Sequence, residues 1–338
     1  MGADRRFFEG LGPQTASDLA ALAGAACVGD PSTQISELAE PALAGAGDAF
    51  FLTSGAPPSS AAGAVVISAD PDILDNAQGL AAGIIHPDPK AAFAAIGASL
   101  YRLRPHDEGA GAPSRDIAPT ARIGPGVILG QGVKIGSNCQ IEAGAVIGPG
   151  VEIGADTRIG SRAVIQCALI GSGCEIYSGA VIGEAGFGLT PGAEGLVSLP
   201  HFGRVVIEDD VVVGALCTID RGMLADTILR TNARIDNHCH IAHNVDVGAS
   251  VIMAAFAGIS GSVKIGPGAQ FGGRVGVADH LSIGAGARLA ADAAVMRDVP
   301  AEEMWAGSPA QPIRSFMRET AWIRRQVHGK ASGRKKDS

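Results

Sequence analysis

The stretch IGSNCQIEAGAVIGPGVEIG, residues 135 to 154, places an aliphatic residue at every sixth position: Ile135, Ile141, Ile147 and Ile153. The same register extends back through Leu129 and Ile123 to Ile117, and forward through Ile159 to Ile165. It resumes after one short step at Ile170, Ile176 and Ile182, breaks, and returns at Ile207, Val213 and Ile219. A last unbroken run goes from Leu229 through Ile235, Ile241, Val247, Met253, Ile259, Ile265, Phe271, Val277 and Ile283 to Leu289. A step of six fits neither a helix nor an ordinary strand. Sustained over this length it is the mark of a parallel β-helix, with one short strand and one turn per hexad. A small residue four places on also points inward, as at Val127, Val133, Cys139, Ala145, Val151 and Thr157. Glycine recurs because each corner is tight and a Cβ would strain it.

Composition agrees with that architecture. The 338 residues include 48 glycines and only 4% aromatics, which suits a narrow interior lined by single aliphatic side chains. A net charge of −8 argues against nucleic acid as the main partner, since phosphate binding needs Lys and Arg. No apolar run reaches the roughly 20 residues of a membrane helix, and residues 1 to 12 lack the apolar core of a signal peptide. A cytoplasmic protein is expected. Cys139, Cys174, Cys217 and Cys239 fall at the inward small position, so packing explains them better than disulfides or metal.

Residues 1–105 carry no hexads and read as a separate α+β domain, with a helix starting at Ser17-Asp18, strands at 64–68 and 83–86, and a helix over 90–103. A polar, glycine-rich linker is expected over 106–116, the β-helix over 117–300, and a C-terminal helix with a basic tail over 301–338, the helix itself at 313–328. Two insertions leave the coil, one opened by Gly186-Phe187-Gly188 and reaching Gly203, the other at 221–228. Loops ejected from a regular solenoid often line sites.

The motifs Gly186-Phe187-Gly188, Gly203-Arg204-Val205-Val206-Ile207, Thr218-Ile219-Asp220-Arg221-Gly222, Ile235-Asp236-Asn237 and Ile241-Ala242-His243-Asn244-Val245 resemble those of the UDP-3-O-(3-hydroxyacyl)glucosamine N-acyltransferases of lipid A biosynthesis. The first domain is similar to that family's uridine-binding domain in Asp18-Leu19-Ala20, Gly29-Asp30-Pro31 and Phe50-Phe51-Leu52. The resemblance implies a left-handed parallel β-helix, a homotrimer, and no cofactor or metal. It implies transfer of a 3-hydroxyacyl group from acyl carrier protein to the 2-amine of UDP-3-O-acylglucosamine, without a covalent intermediate.

That chemistry needs a group to take the amine proton, and a neutral imidazole suits the task. His243 matches the family's base. Asp236, one hexad back, is the candidate carboxylate to orient it. Gly261, one coil beyond His243, matches the backbone donor for the oxyanion, and His280 matches a second histidine that binds or orients substrate. Phe51 is expected to stack on uracil. Family members carry Asn-Pro-Lys-Tyr shortly after that phenylalanine, whereas Ser54-Gly55-Ala56-Pro57 stands here. From residue 313 onward eight positive and two negative residues give a net +6, against −14 for the rest. Arg314, Arg318, Arg324 and Arg325 are therefore expected to dock the acidic carrier protein. Two alternatives stay open. His238, His243 and His280 resemble the zinc-binding histidine spacing of γ-type carbonic anhydrases, and other hexapeptide-repeat O- or N-acyltransferases share the coil.

Overall fold

The computed structural model describes residues 2–75, 79–106, 116–192 and 195–329. The linker expected over 106–116 and the basic tail beyond 329 fall almost wholly outside the described residues.

From Asp116–Ile117 to Ala294–Val295 the hexads wind into a parallel solenoid. Each hexad gives a two- to five-residue strand, and every third hexad returns to the same face, so the strands assemble into three long parallel sheets. The pairing steps are regular: Asp116 pairs with Lys134 and Lys134 with Glu152, one coil for every 18 residues. Among the described residues nine coils are complete, and a tenth begins where Val299 bridges to Ile283 and continues where Met304–Ala306 pairs with Arg288–Leu289. Ile135, Ile141, Ile147, Ile153, Ile159 and Ile165 are all buried in the lumen, together with the small column Val133, Cys139, Ala145, Val151 and Thr157. Ile123, in the first coil, is 40% exposed because no coil lies beneath it.

The corner glycines answer two different demands. Gly144 has φ +70°, the left-handed region that glycine enters without strain. Gly136 has an ordinary φ, but a Cβ there would lie 2.6 Å from the Ala155 nitrogen of the next coil, so its absence is what allows the coils to close up.

The first domain is a five-stranded sheet in the order Ala26–Gly29, Ala82–Ile85, Val65–Ser68, Asp48–Phe51, Glu37–Leu38, antiparallel only at its first pair. Val65 and Ile67 face the larger core shared with the two helices, and Val66 faces the smaller one around Phe50 and Ile73. Helix α1, Ala16–Leu22, begins two residues earlier than the sequence suggests. Its cap is Thr15, whose hydroxyl accepts from the Asp18 amide at 3.1 Å, while the Asp18 carboxylate accepts the Thr15 hydroxyl at 2.6 Å. Helix α2, Pro89–Leu100, starts at an Asp88 cap and stops three residues short of the expected end. Tyr101–Leu103 turns extended there because it pairs with Phe8–Gly10, and the Tyr101 hydroxyl donates to Glu37 at 2.6 Å. Helix α3, Ile313–Gly329, lies beyond the last coil.

The first insertion joins domain and coil. Leu189–Gly192 and Gly195–Ser198 form an antiparallel hairpin, and Thr190 donates to the Asp88 carboxylate at 2.6 Å, so the hairpin is tied to the start of α2. Further on, the Phe202 ring lies 5.5 Å from Phe8 and 4.8 Å from Tyr101. Ion pairs finish the clamp: Arg204 holds Asp4 at 3.1 Å and Asp226 at 2.7 Å, and Arg6 holds Glu152 at 2.8 Å. Whatever this insertion carries is thus fixed against both parts of the chain.

Candidate active site

His243 follows Ile241, whose side chain fills the lumen, and sits on the corner where the third sheet gives way to the first. Its ring is held from one side by Asn244. The Asn244 amide has a single workable orientation, because Nδ2 donates to the Ala225 carbonyl at 3.2 Å while Oδ1 accepts from the Met223 amide at 3.0 Å. The same Oδ1 lies 3.1 Å from His243 Nδ1. An acceptor there requires the proton on Nδ1, which leaves the lone pair of neutral His243 on Nε2.

The Cε1–Nε2 side of the ring lies over Gly261, one coil along. A Cβ on Gly261 would stand 2.7 Å from both Nε2 and Cε1 of His243, so this glycine keeps the space in front of the imidazole clear. Around it the ladder is intact: Ser260 donates to Val277 at 3.1 Å and Ser262 to the His243 carbonyl at 3.0 Å. Among the described residues the Gly261 N–H itself has no acceptor.

From His243 a groove of about 490 Å³ runs along the third sheet, lined by Ala242, Ser260, Ala278, Val295 and Met296 and overhung by Phe187, which is 82% exposed. Its floor is the outward column His240, Gly258, Gly276, Ala294, in register from coil to coil. A Cβ on Gly258 or Gly276 would meet nothing within 4 Å. What a side chain there would occupy is the groove itself. The arrangement is polar at the His243 end and apolar towards Val295 and Met296, the shape for a chain with a reactive head and an alkyl tail.

Three charged or titratable groups back this end. Asp220 is only 8% exposed, and burial raises its carboxyl above the usual range against the opposing pull of His240, His243 and Arg221. His240 stands beside it, with Nε2 3.7 Å from Asp220 Oδ2 and Nδ1 2.7 Å from the Thr218 hydroxyl. Arg221 is buried and donates to the His201 carbonyl at 2.8 Å and the Gly183 carbonyl at 2.7 Å. It pins the insertion to the coil.

The other residues expected in the site are placed differently. Asp236 follows Arg234–Ile235 in the second sheet and so stands on another corner from His243. Its oxygens accept from the Asn237 amide at 2.7 Å, the Asn237 side chain at 2.9 Å and the Ala255 amide at 3.2 Å. Within the chain it caps a corner, and the orienting contact to His243 comes from Asn244 instead. His280 is exposed and donates its backbone N–H to the Gly261 carbonyl at 3.0 Å. Phe51 is half-buried, with its ring 4.9 Å from Phe93 of α2. Arg314, Arg318, Arg324 and Arg325 are exposed on α3. His238 stacks on Phe256 at 4.9 Å, away from His243, and among the described residues no group of three His, Cys, Asp or Glu could hold a metal ion. Asn244, Asp220, His201 and Phe187 are the groups near His243 to which the sequence assigns no role.

Residues 132–167 match the family model described as bacterial transferase hexapeptide (six repeats). The chain is 45% identical over 334 residues to a UDP-3-O-acylglucosamine N-acyltransferase of Caulobacter sp. (strain K31), covering 97% of this chain and 98% of the relative. It is 43% identical over 351 residues to the enzyme of the same name from Maricaulis maris (strain MCS10), covering 99% of each. Among solved structures, a UDP-N-acetylglucosamine acyltransferase of Francisella novicida aligns with 27% identity over 58% of this chain and 69% of that one, with a TM-score of 0.46. Identity of this order along nearly the full length, with the His243 groove built on the coil, shows that the chain is an acyltransferase and belongs to the UDP-3-O-acylglucosamine N-acyltransferase family.

Proposed function

We propose that the protein moves a 3-hydroxyacyl group from acyl carrier protein to the 2-amine of UDP-3-O-(3-hydroxyacyl)glucosamine, a step of lipid A biosynthesis in the cytoplasm. One geometric fact carries the proposal: Asn244 fixes the His243 tautomer so that a free lone pair is left on Nε2, in a ring that lies over Gly261 at the head of an apolar groove. The amine nitrogen attacks the thioester carbonyl, and Nε2 takes the proton the nitrogen sheds. Negative charge moves to the carbonyl oxygen, where the Gly261 N–H donates to it. The buried Asp220 carboxylate beside the two histidines stabilises the imidazolium that forms. When the intermediate collapses, the C–S bond breaks, and His243 returns its proton to the departing thiolate. The acyl tail lies along Gly258, Gly276 and Met296. Phe51 and the first domain hold the uridine, and His280, bonded to Gly261 one coil along, binds or orients the substrate.

The test is acceptor selection. With a 3-hydroxyacyl carrier protein as donor, UDP-3-O-acylglucosamine should be acylated on nitrogen, and UDP-N-acetylglucosamine, whose nitrogen is blocked, should not react. Acylation of a hydroxyl on the blocked acceptor would instead make this an O-acyltransferase.

His280, Asp236 and the groove mouth are all open to solvent on a single chain, so the complete site is proposed to lie between subunits of a homotrimer. Sedimentation of active enzyme should give one species near three times the 34.0 kDa chain mass. A fully active monomer would contradict this.

Helix α3 is proposed to receive the acidic carrier protein on Arg314, Arg318, Arg324 and Arg325. Charge steering acts mainly on association and weakens with salt. Reversing the four arginines to glutamate is expected to raise the KM for the carrier protein and flatten its salt dependence, with the KM for the UDP-sugar unchanged. If the donor KM and its salt slope stay at wild-type values, carrier protein docks elsewhere.

A further inference from the structure

Beside His243 the first insertion buries a second histidine. His201 is 2% exposed, and its ring centroid lies 4.9 Å from that of His243, the planes crossing at 62°. Its Nδ1 is 3.0 Å from the Leu199 carbonyl, an acceptor only, so the proton sits on Nδ1 and the lone pair on Nε2. Nε2 is fully buried and has no hydrogen-bond partner among the described residues. An unpaired buried nitrogen is unfavourable, and a folded protein that keeps one calls for an explanation.

Its surroundings supply one. A Cβ on Gly186 would lie 2.7 Å from His201 Nε2 and equally 2.7 Å from Cβ and Cδ2 of His243. The Gly186 turn therefore closes over both rings, with the electron-rich nitrogen of His201 and the Cδ2 edge of His243 against the same point. A neutral imidazole is a dipole whose negative end is its unprotonated nitrogen. Here that end lies at Gly186, beside the ring that becomes positive when it takes the amine proton. The dipole is set before the reaction: Leu199 fixes the tautomer, Arg221 holds the His201 carbonyl, and Phe202 anchors the next residue between Phe8 and Tyr101.

We infer that His201 is a positioning residue for acyl transfer, a preset neutral dipole that holds the His243 ring over Gly261 and stabilises its protonated form. The inference rests on His243 being the base. Other charges surround the pair: Arg221 from the strand below acts on His201, and Asp220 of the same strand interacts with His243, with His240 of the His243 coil and with Glu184 of the coil before its own. Burial pushes His201 down to about 4, so it stays neutral while His243 cycles.

Two substitutions separate the dipole from mere filling of space. His201→Phe keeps a ring but loses the acceptor; kcat should fall about tenfold, as for a displaced or poorly stabilised catalytic group, with both KM values near wild type. Because protonated His243 loses stabilisation, the acid limb of kcat/KM should move to lower pH, by about half a unit or more. His201→Gln keeps a neutral acceptor and should restore both kcat and the limb. A purely structural role would lower the active fraction alike at all pH values. A folded Phe variant with unshifted limb and wild-type kcat would overturn the inference, as would a folded Gln variant tenfold slower than wild type, which decides the matter alone if the Phe variant does not fold. Loss of the base assignment itself would show separately, as full activity of His243→Ala.

Discussion

His243→Ala is expected to lower kcat about 10²- to 10⁴-fold, the usual contribution of a general base, while the KM for UDP-3-O-acylglucosamine changes little. The split follows from geometry. On the proposed mechanism His243 would touch the substrate only through Nε2, at the reacting nitrogen, and the sugar nucleotide would take its binding energy elsewhere. Folding should be unaffected, because the lumen beneath is filled by Ile241 and Val245, both fully buried. Asn244 also keeps its bonds to Met223 and Ala225 without the imidazole. Initial rates over a range of both substrates, with a thermal melt as control, measure the split. A variant within a few-fold of wild type would remove His243 from the mechanism.

Gly261→Ala should cost nearly as much by a different route. The backbone at Gly261 lies outside the left-handed region, so alanine is not strained there. The nearest atoms a Cβ would meet are Cε1, Nε2 and Nδ1 of His243, at 2.7 to 3.2 Å. The imidazole must swing away, and the methyl also crowds the N–H proposed to receive the oxyanion. A displacement of about an ångström at the reacting atoms is worth on the order of 10²-fold in rate. The thermal midpoint should hold, since a half-exposed side chain can move into solvent and such substitutions typically stay within about 0.5 kcal/mol. A loss of kcat of that size without loss of stability is the expected signature. Retained activity would mean that His243 does not work from the position seen here.

The coil was legible because its repeat is short and its interior admits one kind of side chain at each position. The same regularity makes residues 18 apart neighbours, and that relation alone brings Gly261 to His243. Within one chain Asp236 stands apart from His243 because one hexad is a third of a coil, so nearness in sequence puts it on a different corner. Asp220 hid for the opposite reason. The second insertion lengthens its coil, so Thr218 pairs with His240 across 22 residues, and an 18-residue count misses the carboxylate beneath the site. His201 carries no periodic signal. It lies in the first insertion, where burial comes from contacts with Phe8, Tyr101 and Arg221 that no local pattern encodes. In α2 the apolar residues continue past Leu100, and only pairing with Phe8–Gly10 turns Tyr101 out of the helix.

Direct transfer from thioester to amine at His243 is tested most directly by a quenched single turnover, with enzyme in excess over 3-hydroxyacyl carrier protein and UDP-3-O-acylglucosamine present. Mass spectrometry of the quenched mixture follows carrier protein, nucleotide sugar and enzyme together. Free carrier thiol and the N-acylated sugar should appear at one common rate, slowed equally in His243→Ala, while the enzyme mass never changes. An acylated enzyme that forms and decays, or thiol release without an amide on the sugar, would contradict the account.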